Sequence, residues 1–189
     1  MSLKKTLTIA GSDSSGGAGL QADLKTFQEL GVYGMSAVTS IVAMDPKDWS
    51  HNVFPIETSI VETQLDTILS TGIDAMKTGM LGTVDIIELT AKKIKEYNLD
   101  KVVIDPVMVC KGTDEVLMPE NTVAMRELLL PLATVVTPNL FEAWQLSGLG
   151  PITTIEEMQQ AAQIIYEQGA KYVLIKGGKK LEGQDKAVD

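Results

Sequence analysis

Short apolar runs alternate with amphipathic segments along the whole chain, and this alternation limits the fold more than any other feature. Val102-Val103-Ile104 and Tyr172-Val173-Leu174-Ile175 are continuous apolar runs, which are typical of parallel strands covered on both faces. Segments with apolar residues at helical spacing lie between such runs, as in repeated βα units. The sequence therefore predicts an α/β fold with three layers, α/β/α, around a mostly parallel central sheet.

Six strands and six helices are predicted from this pattern. The strands are Leu7–Ala10, Ser36–Met44, Asp74–Lys77, Lys101–Pro106, Ala133–Thr137 and Tyr172–Lys176, and the helices are Gly19–Leu30, Ser59–Ser70, Val84–Tyr97, Pro119–Leu129, Leu140–Ser147 and Ile155–Gln168. Thr83, Asn139 and Thr154 are predicted N-caps, and Glu157 completes a capping box with Thr154. No repeat or linker interrupts the pattern, so residues 1–189 are predicted to form a single domain.

Composition excludes several classes of function. The net charge of −9 disfavours binding to nucleic acid or to an anionic membrane surface, and no apolar run reaches the length of a membrane-spanning helix. The single cysteine, Cys110, suits a reducing cytoplasm. The single histidine, His51, lies in a polar stretch and is expected in a solvated loop, which disfavours a Ser-His-Asp triad or a histidine-rich metal site.

A glycine-rich and serine-rich segment, Gly11 to Asp23, joins the first predicted strand to the first helix. A strand that turns into a helix N-terminus brings backbone N–H groups to the sheet edge, where a small polar or anionic ligand can bind. No Gly-Lys-Ser/Thr ends the segment, so it is not a P-loop, and it fits the dinucleotide-binding fingerprint poorly. The alternative is that its glycines only form a tight turn.

Other strand ends carry charged residues that suit phosphate chemistry. Asp105 ends a buried strand and Glu142 lies in the first turn of the helix after Asn139, so the two carboxylates are candidate Mg²⁺ ligands. Their alternative roles are bonding to turn amides and interaction with the helix dipole. The basic, glycine-containing run from Lys176 to Lys180 is suited to a nucleotide polyphosphate, although a solvated turn has a similar composition.

Taken together, five ordered motifs resemble the hydroxymethylpyrimidine (phosphate) kinases and the related bacterial pyridoxal kinases of the ribokinase-like superfamily. The motifs are AGSDSSGGAGLQADLK from Ala10, KTGML from Lys77, DPVM from Asp105, TPNL from Thr137 with Glu142, and KGG from Lys176. The resemblance covers essentially the whole chain. It implies an ATP-dependent and Mg²⁺-dependent kinase that phosphorylates the hydroxymethyl group of a small aromatic heterocycle, with a homodimer as the usual assembly.

The resemblance also implies roles for individual residues. Nucleotide-binding positions are Asn139, Lys176, Gly177, Gly178, Lys179, Lys180 and Asp189; metal-binding positions are Glu142 and Asp105; and substrate-binding positions are Gly11, Asp23, Met44, Met80, Val107 and Cys110. In this interpretation the heterocycle binds at the Gly11 to Asp23 segment, and the phosphate groups bind at the nucleotide-binding and metal-binding positions.

Two departures from the family pattern refine these expectations. Met44 stands where pyrimidine-specific members carry a glutamine, and Cys110 stands where members with pyridoxal activity carry a thiol, so pyridoxal or pyridoxine is expected over hydroxymethylpyrimidine. The family's glycine-rich anion hole and catalytic group are expected beyond Asp189, so the domain is expected to lack its C-terminal part and the 189 residues alone are expected to be inactive. A small-molecule sensor without kinase activity remains the non-enzyme alternative.

Overall fold

Strands and helices alternate along the chain, as the apolar pattern predicts. A computed structural model describes residues 3–108, 119–178, 181 and 185–189, and the chain divides into two compact units, Met1–Val102 and Val103–Asp189. The strands are β1 (Lys5–Asp13), β2 (Tyr33–Met44), β3 (His51–Pro55), β4 (Ala75–Thr78), β5 (Val102–Ile104), β6 (Val135–Val136) and β7 (Tyr172–Val173). The α-helices are α1 (Gly19–Glu29), α2 (Thr58–Leu69), α3 (Val84–Glu96), α4 (Pro119–Ala124), α5 (Leu140–Ser147) and α6 (Ile155–Glu167).

The first unit is organised around β1, which is parallel to β2 on one side and to β4 on the other. Strand β3 pairs antiparallel with β2 at the edge, and α1 and α2 pack against these strands. Leu7, Ile9, Leu65 and Met76 are at most 2% exposed and form the centre of this unit. The parallel order brings the carboxyl ends of β1, β2 and β4 to the same edge.

The second unit contains the parallel neighbours β5, β6 and β7, and α5 packs against α6. Its large buried side chains include Ile104, Met125, Leu129, Leu130 and Leu146. An isolated parallel bridge joins Asn139 to Lys176, so the segments that follow β6 and β7 run side by side past the ends of their strands. The α/β class with mostly parallel strands flanked by helices is thereby confirmed, whereas a single domain over 1–189 stays a prediction.

The predicted helix caps are confirmed. The Thr83 hydroxyl accepts a hydrogen bond from the Ile86 N–H at 3.3 Å. Thr154 and Glu157 form the predicted capping box, in which Thr154 Oγ1 accepts from the Glu157 N–H at 3.2 Å and Glu157 Oε2 accepts from the Thr154 N–H at 3.0 Å. These side chains satisfy N–H groups that have no partner inside the helix.

Strands β5, β6 and β7 are shorter than predicted, and three other predictions are wrong. Strand β1 continues through Gly11 to Asp13, because the register shifts between Ala10 and Ser12 and the pairing with β2 then resumes. His51 is not a solvated loop residue: it begins β3, is half-buried and pairs with Met44. That strand escapes prediction because the rest of it is exposed on both faces, so its sequence shows no apolar alternation.

The third wrong prediction is that Pro119–Leu129 forms one α-helix. Its α-helical part ends at Ala124 and continues as a π-helical turn, Met125–Leu129, followed by a 3₁₀ turn, Leu130–Leu132. Pro131 lacks the N–H that an α-helix would need at this point.

Candidate active site

The loop between β1 and α1 is closed around a carboxylate of its own. Asp13 is 6% exposed, and its side chain accepts hydrogen bonds from the N–H groups of Ser15 at 2.8 Å, Gly17 at 3.1 Å and Ala18 at 2.8 Å. Burial alone would raise the pKa of Asp13, but the hydrogen bonds from the Ser15 hydroxyl and from these N–H groups hold it below its ordinary value. The amides that suggested an anion site are therefore satisfied by Asp13 itself.

Gly11 lies beside two side chains that occupy the place of its missing Cβ. A Cβ there would lie 2.7 Å from Ser40 Oγ and 3.0 Å from Met80 Cε. Gly11 and Met80, two predicted substrate-binding residues, are thus brought together by the structure, and Ser40 on β2 also lies next to Gly11. Ser40 is 2% exposed, and its hydroxyl has no hydrogen-bond partner within the part of the chain that the structure describes.

Asp23 projects from α1 onto two strands of the first unit. Its carboxylate accepts hydrogen bonds from Lys77 Nζ at 3.0 and 2.9 Å and from Thr8 Oγ1 at 2.6 Å. Thr8 and Lys77 are direct register partners on β1 and β4, so their side chains leave the same face of the sheet. The polar cluster of Thr8, Asp23 and Lys77 therefore lies under α1.

Met44 and Met80 lie at strand ends of the first unit. Met44 is half-buried at the end of β2, opposite His51. Met80 is half-buried in the turn after β4, where its carbonyl accepts a hydrogen bond from Thr39 Oγ1 at 2.6 Å. Both positions agree with a ligand at the carboxyl edge of the strands, where α/β folds usually bind ligands.

In the second unit, Asp105 and Lys176 form an ion pair. Lys176 Nζ lies 2.9 Å from Asp105 Oδ1, and the Thr137 hydroxyl is 3.3 Å from the same oxygen. These residues follow β5, β6 and β7, so three neighbouring strand ends converge on one carboxylate. Val107, two residues after Asp105, is half-buried.

Glu142 is the most perturbed titratable group among the described residues. It is 4% exposed, and its Oε2 accepts a hydrogen bond from the Asn139 N–H at 2.8 Å while Asn139 Oδ1 accepts from the Glu142 N–H at 2.9 Å. Burial and the nearby charge of Asp105 raise the pKa of Glu142 to about 7, against the opposing effects of the Asn139 N–H and Lys176. Asn139 and Glu142 thus form a capping box for α5 and also belong to the charged group at the strand ends.

The remaining predicted nucleotide-binding residues are only partly described. Gly177 is buried, and its N–H donates to Asp189 Oδ1 at 3.1 Å. A side chain at Gly177 would collide with the Val188 carbonyl, so this position requires glycine. Gly178 is exposed, whereas Lys179, Lys180 and the predicted substrate-binding Cys110 lie outside the described residues.

Sequence reasoning missed the partners of Asp23 and the position of Ser40. One signal was available for Asp23, because it shares the inward face of α1 with Leu20, Leu24 and Phe27 at helical spacing. A carboxylate on an otherwise apolar face needs a cation or hydrogen-bond donors. No comparable signal exists for Ser40, whose contact with Gly11 depends on the pairing of β1 with β2.

Comparison with known proteins decides the family. A family model described as phosphomethylpyrimidine kinase matches residues 13–189. The chain belongs to the phosphomethylpyrimidine kinase family. The predicted resemblance, and with it the kinase class, is confirmed.

Several relatives that share about 60 to 65% of their residues with the chain are pyridoxine or pyridoxal kinases. The chain is 65% identical to the pyridoxine kinase of Bacillus subtilis over 191 residues, which cover 100% of this chain and 70% of that protein. Two structures of pyridoxal kinase from Staphylococcus aureus, one in complex with ADP and one with pyridoxal, each superpose on the chain with a TM-score of 0.94. Their sequence identities to the chain are 60% and 59%, and each superposition covers 99% of this chain and 67% of the kinase. The ribokinase-like fold prediction is confirmed by these superpositions.

The pyrimidine kinases of the family are more distant. The hydroxymethylpyrimidine/phosphomethylpyrimidine kinase of Bacillus subtilis is 45% identical over 183 residues, which cover 96% of this chain and 67% of that protein. The difference of about twenty percentage points favours vitamin B6 kinases as the functional relatives.

Proposed function

We propose that this chain carries the ATP, Mg²⁺ and heterocycle sites of a kinase that transfers the γ-phosphoryl group to the hydroxymethyl group of pyridoxal or pyridoxine. The observation that carries the proposal is the 65% identity to a pyridoxine kinase over the whole chain. The charged group of the second unit supports it, since phosphoryl transfer depends on positioning and on neutralising charge at the moving group.

Nucleotide binding is assigned to the residues that follow β6 and β7. Lys176 supplies an ammonium group and Gly178 supplies a backbone amide near it, as a polyphosphate requires, whereas the Gly177 N–H donates to Asp189. The pyridoxal kinase of S. aureus, to which the chain is 60% identical, forms a complex with ADP. We assign the same ligand class to Asn139, the Lys176–Lys180 run and Asp189.

The residues of the second unit fit a magnesium ion. Asp105 and Glu142 are close enough for the charge of one to raise the pKa of the other, and a divalent cation between two carboxylates relieves that repulsion. Mg²⁺ commonly takes one or two carboxylates and completes its shell with water and substrate phosphates. When bound, it would neutralise charge on the nucleotide phosphates, while Lys176 holds Asp105 in place.

The heterocycle is assigned to the first unit, while Val107 and Cys110 stay expectations from the family resemblance. Gly11, Asp23, Met44 and Met80 all lie at or near the carboxyl ends of β1, β2 and β4. Met44 lacks the amide that would pair with a pyrimidine, and this favours the pyridine substrates.

We also propose that the protein is cytoplasmic and pairs with a second copy of itself. The single cysteine of the chain suits a reducing compartment. Exposed apolar residues on β2 and β3 support a dimer: Ile41 and Phe54 are register partners, and they are 45% and 56% exposed. Among the described residues no helix is long and apolar enough to span a membrane.

Calorimetric titration tests the proposed ligands. The Mg²⁺ complex of ADP is expected to bind. Pyridoxine is also expected to bind, and more tightly than hydroxymethylpyrimidine. Lys176→Met is expected to weaken ADP binding about ten-fold or more, because a charge-assisted hydrogen bond is lost. Lys95→Met, at an exposed position on α3, is the matched control.

Three outcomes would contradict the proposal. Tighter binding of hydroxymethylpyrimidine would assign the protein to the pyrimidine kinases. Pyridoxine binding without any nucleotide binding would favour a sensor. Equal ADP affinity in Lys176→Met and wild type would remove Lys176 from the nucleotide site.

A further inference from the structure

Lys77 is a charged member of the Thr8, Asp23 and Lys77 cluster, and the proposed function gives it no role. The three residues come from β1, α1 and β4, and their hydrogen bonds span 2.6 to 3.0 Å. The side chains of Lys77 and Asp23 are 22% and 17% exposed. The ion pair is therefore sheltered from solvent but still accessible to a ligand.

The hydrogen-bonding capacity of this cluster is not exhausted. A carboxylate has about four acceptor sites and an ammonium group has three N–H donors. Within the described residues, Asp23 Oδ2 accepts from both Lys77 and Thr8, whereas Oδ1 accepts from Lys77 alone. Lys77 donates at most two of its three N–H groups to Asp23. One N–H of Lys77 and one acceptor site of Asp23 Oδ1 therefore remain next to each other.

A second lysine shows what a purely structural ion pair looks like in this protein. Lys93 joins α3 to α2, its side chain is 7% exposed, and it lies within 3.6 Å of Glu62, Asp66 and Glu96. Three carboxylates surround that ammonium group, and Asp66 accepts a hydrogen bond from it. Lys77 has one carboxylate partner among the described residues and is three times as exposed.

The position of Lys77 favours a role at the ligand. It is the third residue of the four-residue strand β4, and its Nζ lies 3.5 Å from the place of a Cβ on Gly79, in the turn that also holds Met80. The ammonium group thus reaches the carboxyl edge of the strands, where the heterocycle is assigned.

We infer that Lys77 positions Asp23 and selects heterocycles that carry a hydrogen-bond acceptor beside a donor. The remaining N–H of Lys77 donates to an oxygen or nitrogen of the ligand. The remaining acceptor site of Asp23 Oδ1 accepts from a neighbouring O–H or N–H of the ligand. A ring hydroxyl next to a hydroxymethyl group meets this requirement. The inference rests on the proposed function, which assigns Asp23 to the heterocycle.

Pyridoxine binding to Lys77 variants of the 189-residue protein tests the inference. Pyridoxine is the probe because it has no aldehyde and so forms no imine with a lysine. Lys77→Met is expected to weaken its binding about ten-fold or more, and Lys77→Arg, which keeps the charge, is expected to restore most of the affinity. Combining Lys77→Met with Asp23→Asn is expected to cost little more than the worse single change, because the two groups act as a unit.

Lys95→Met and a thermal melt of each variant are the controls. A Lys77→Met protein that melts like wild type and binds pyridoxine within two-fold of it would overturn the inference. Losses that add fully in the double variant, or an arginine that restores nothing, would overturn the positioning role of Lys77. Absence of pyridoxine binding in the wild type would instead overturn the proposed function, and the inference with it.

Discussion

Carboxylates in this protein differ in chemistry because their neighbours differ. Asp13 accepts hydrogen bonds from backbone N–H groups, Asp23 accepts them from a lysine and a threonine, and Glu142 is buried next to a second acid. Of these three, only Asp13 is fully enclosed by a single loop. Glu142 is the most suited to binding a cation, because a cation removes its repulsion with Asp105.

Glu142 is expected to make stability depend on pH. Folding raises its pKa from 4.5 to about 7, so its stabilising contribution is fully present below pH 4.5 and is lost as the pH rises through 7. Glu142→Gln cannot titrate but keeps an acceptor for the Asn139 N–H. The variant should therefore gain stability relative to wild type by about 2 to 3 kcal/mol between pH 5 and pH 8.

Urea unfolding in magnesium-free buffer at the two pH values measures this difference. Glu156→Gln is the control, because Glu156 is exposed in the first turn of α6. A stability difference between Glu142→Gln and wild type that stays constant with pH would show that Glu142 does not titrate in this range.

At the scale of elements, helix starts are defined by local side chains. The caps at Thr83, Asn139 and Thr154 involve residues at most three positions apart. Such contacts form within one turn and depend little on the rest of the fold. Helix starts were for this reason among the most accurate predictions from the sequence.

Thr154→Ala is expected to lower the free energy of unfolding by about 1 kcal/mol, because the Glu157 N–H loses its acceptor. Gln160→Ala, at an exposed position in the same helix, is expected to change it by less than about 0.5 kcal/mol. Chemical unfolding of both variants measures the effect. Equal stability of the two proteins would mean that the cap contributes nothing measurable.

At the scale of the whole molecule, the exposed apolar residues of β2 and β3 predict self-association. Strand β3 lies at the sheet edge, and Phe54 on it faces solvent beside Ile41. Edge strands with exposed apolar side chains favour association with another chain. We expect a dimer in sedimentation experiments, and Phe54→Ser is expected to shift it towards monomer.

Leu30→Ser is the matched control for this prediction, because Leu30 is 73% exposed at the end of α1, away from β3 in sequence. A wild-type protein that sediments as a monomer would contradict the dimer. A Phe54→Ser protein as dimeric as wild type would contradict the assignment of the interface to this face.

The sequence alone determined the α/β class, six of the seven strands, the helix caps and the family, because apolar periodicity, capping and motif order are local properties of the chain. It did not reveal β3 or the paired state of Asp23. Strand β3 is exposed on both faces and is stabilised by pairing with β2, and Lys77 lies 54 positions from Asp23. Such partners meet only when strand order and register are fixed, so tertiary structure alone decided which charges are neutralised and which remain available to a ligand.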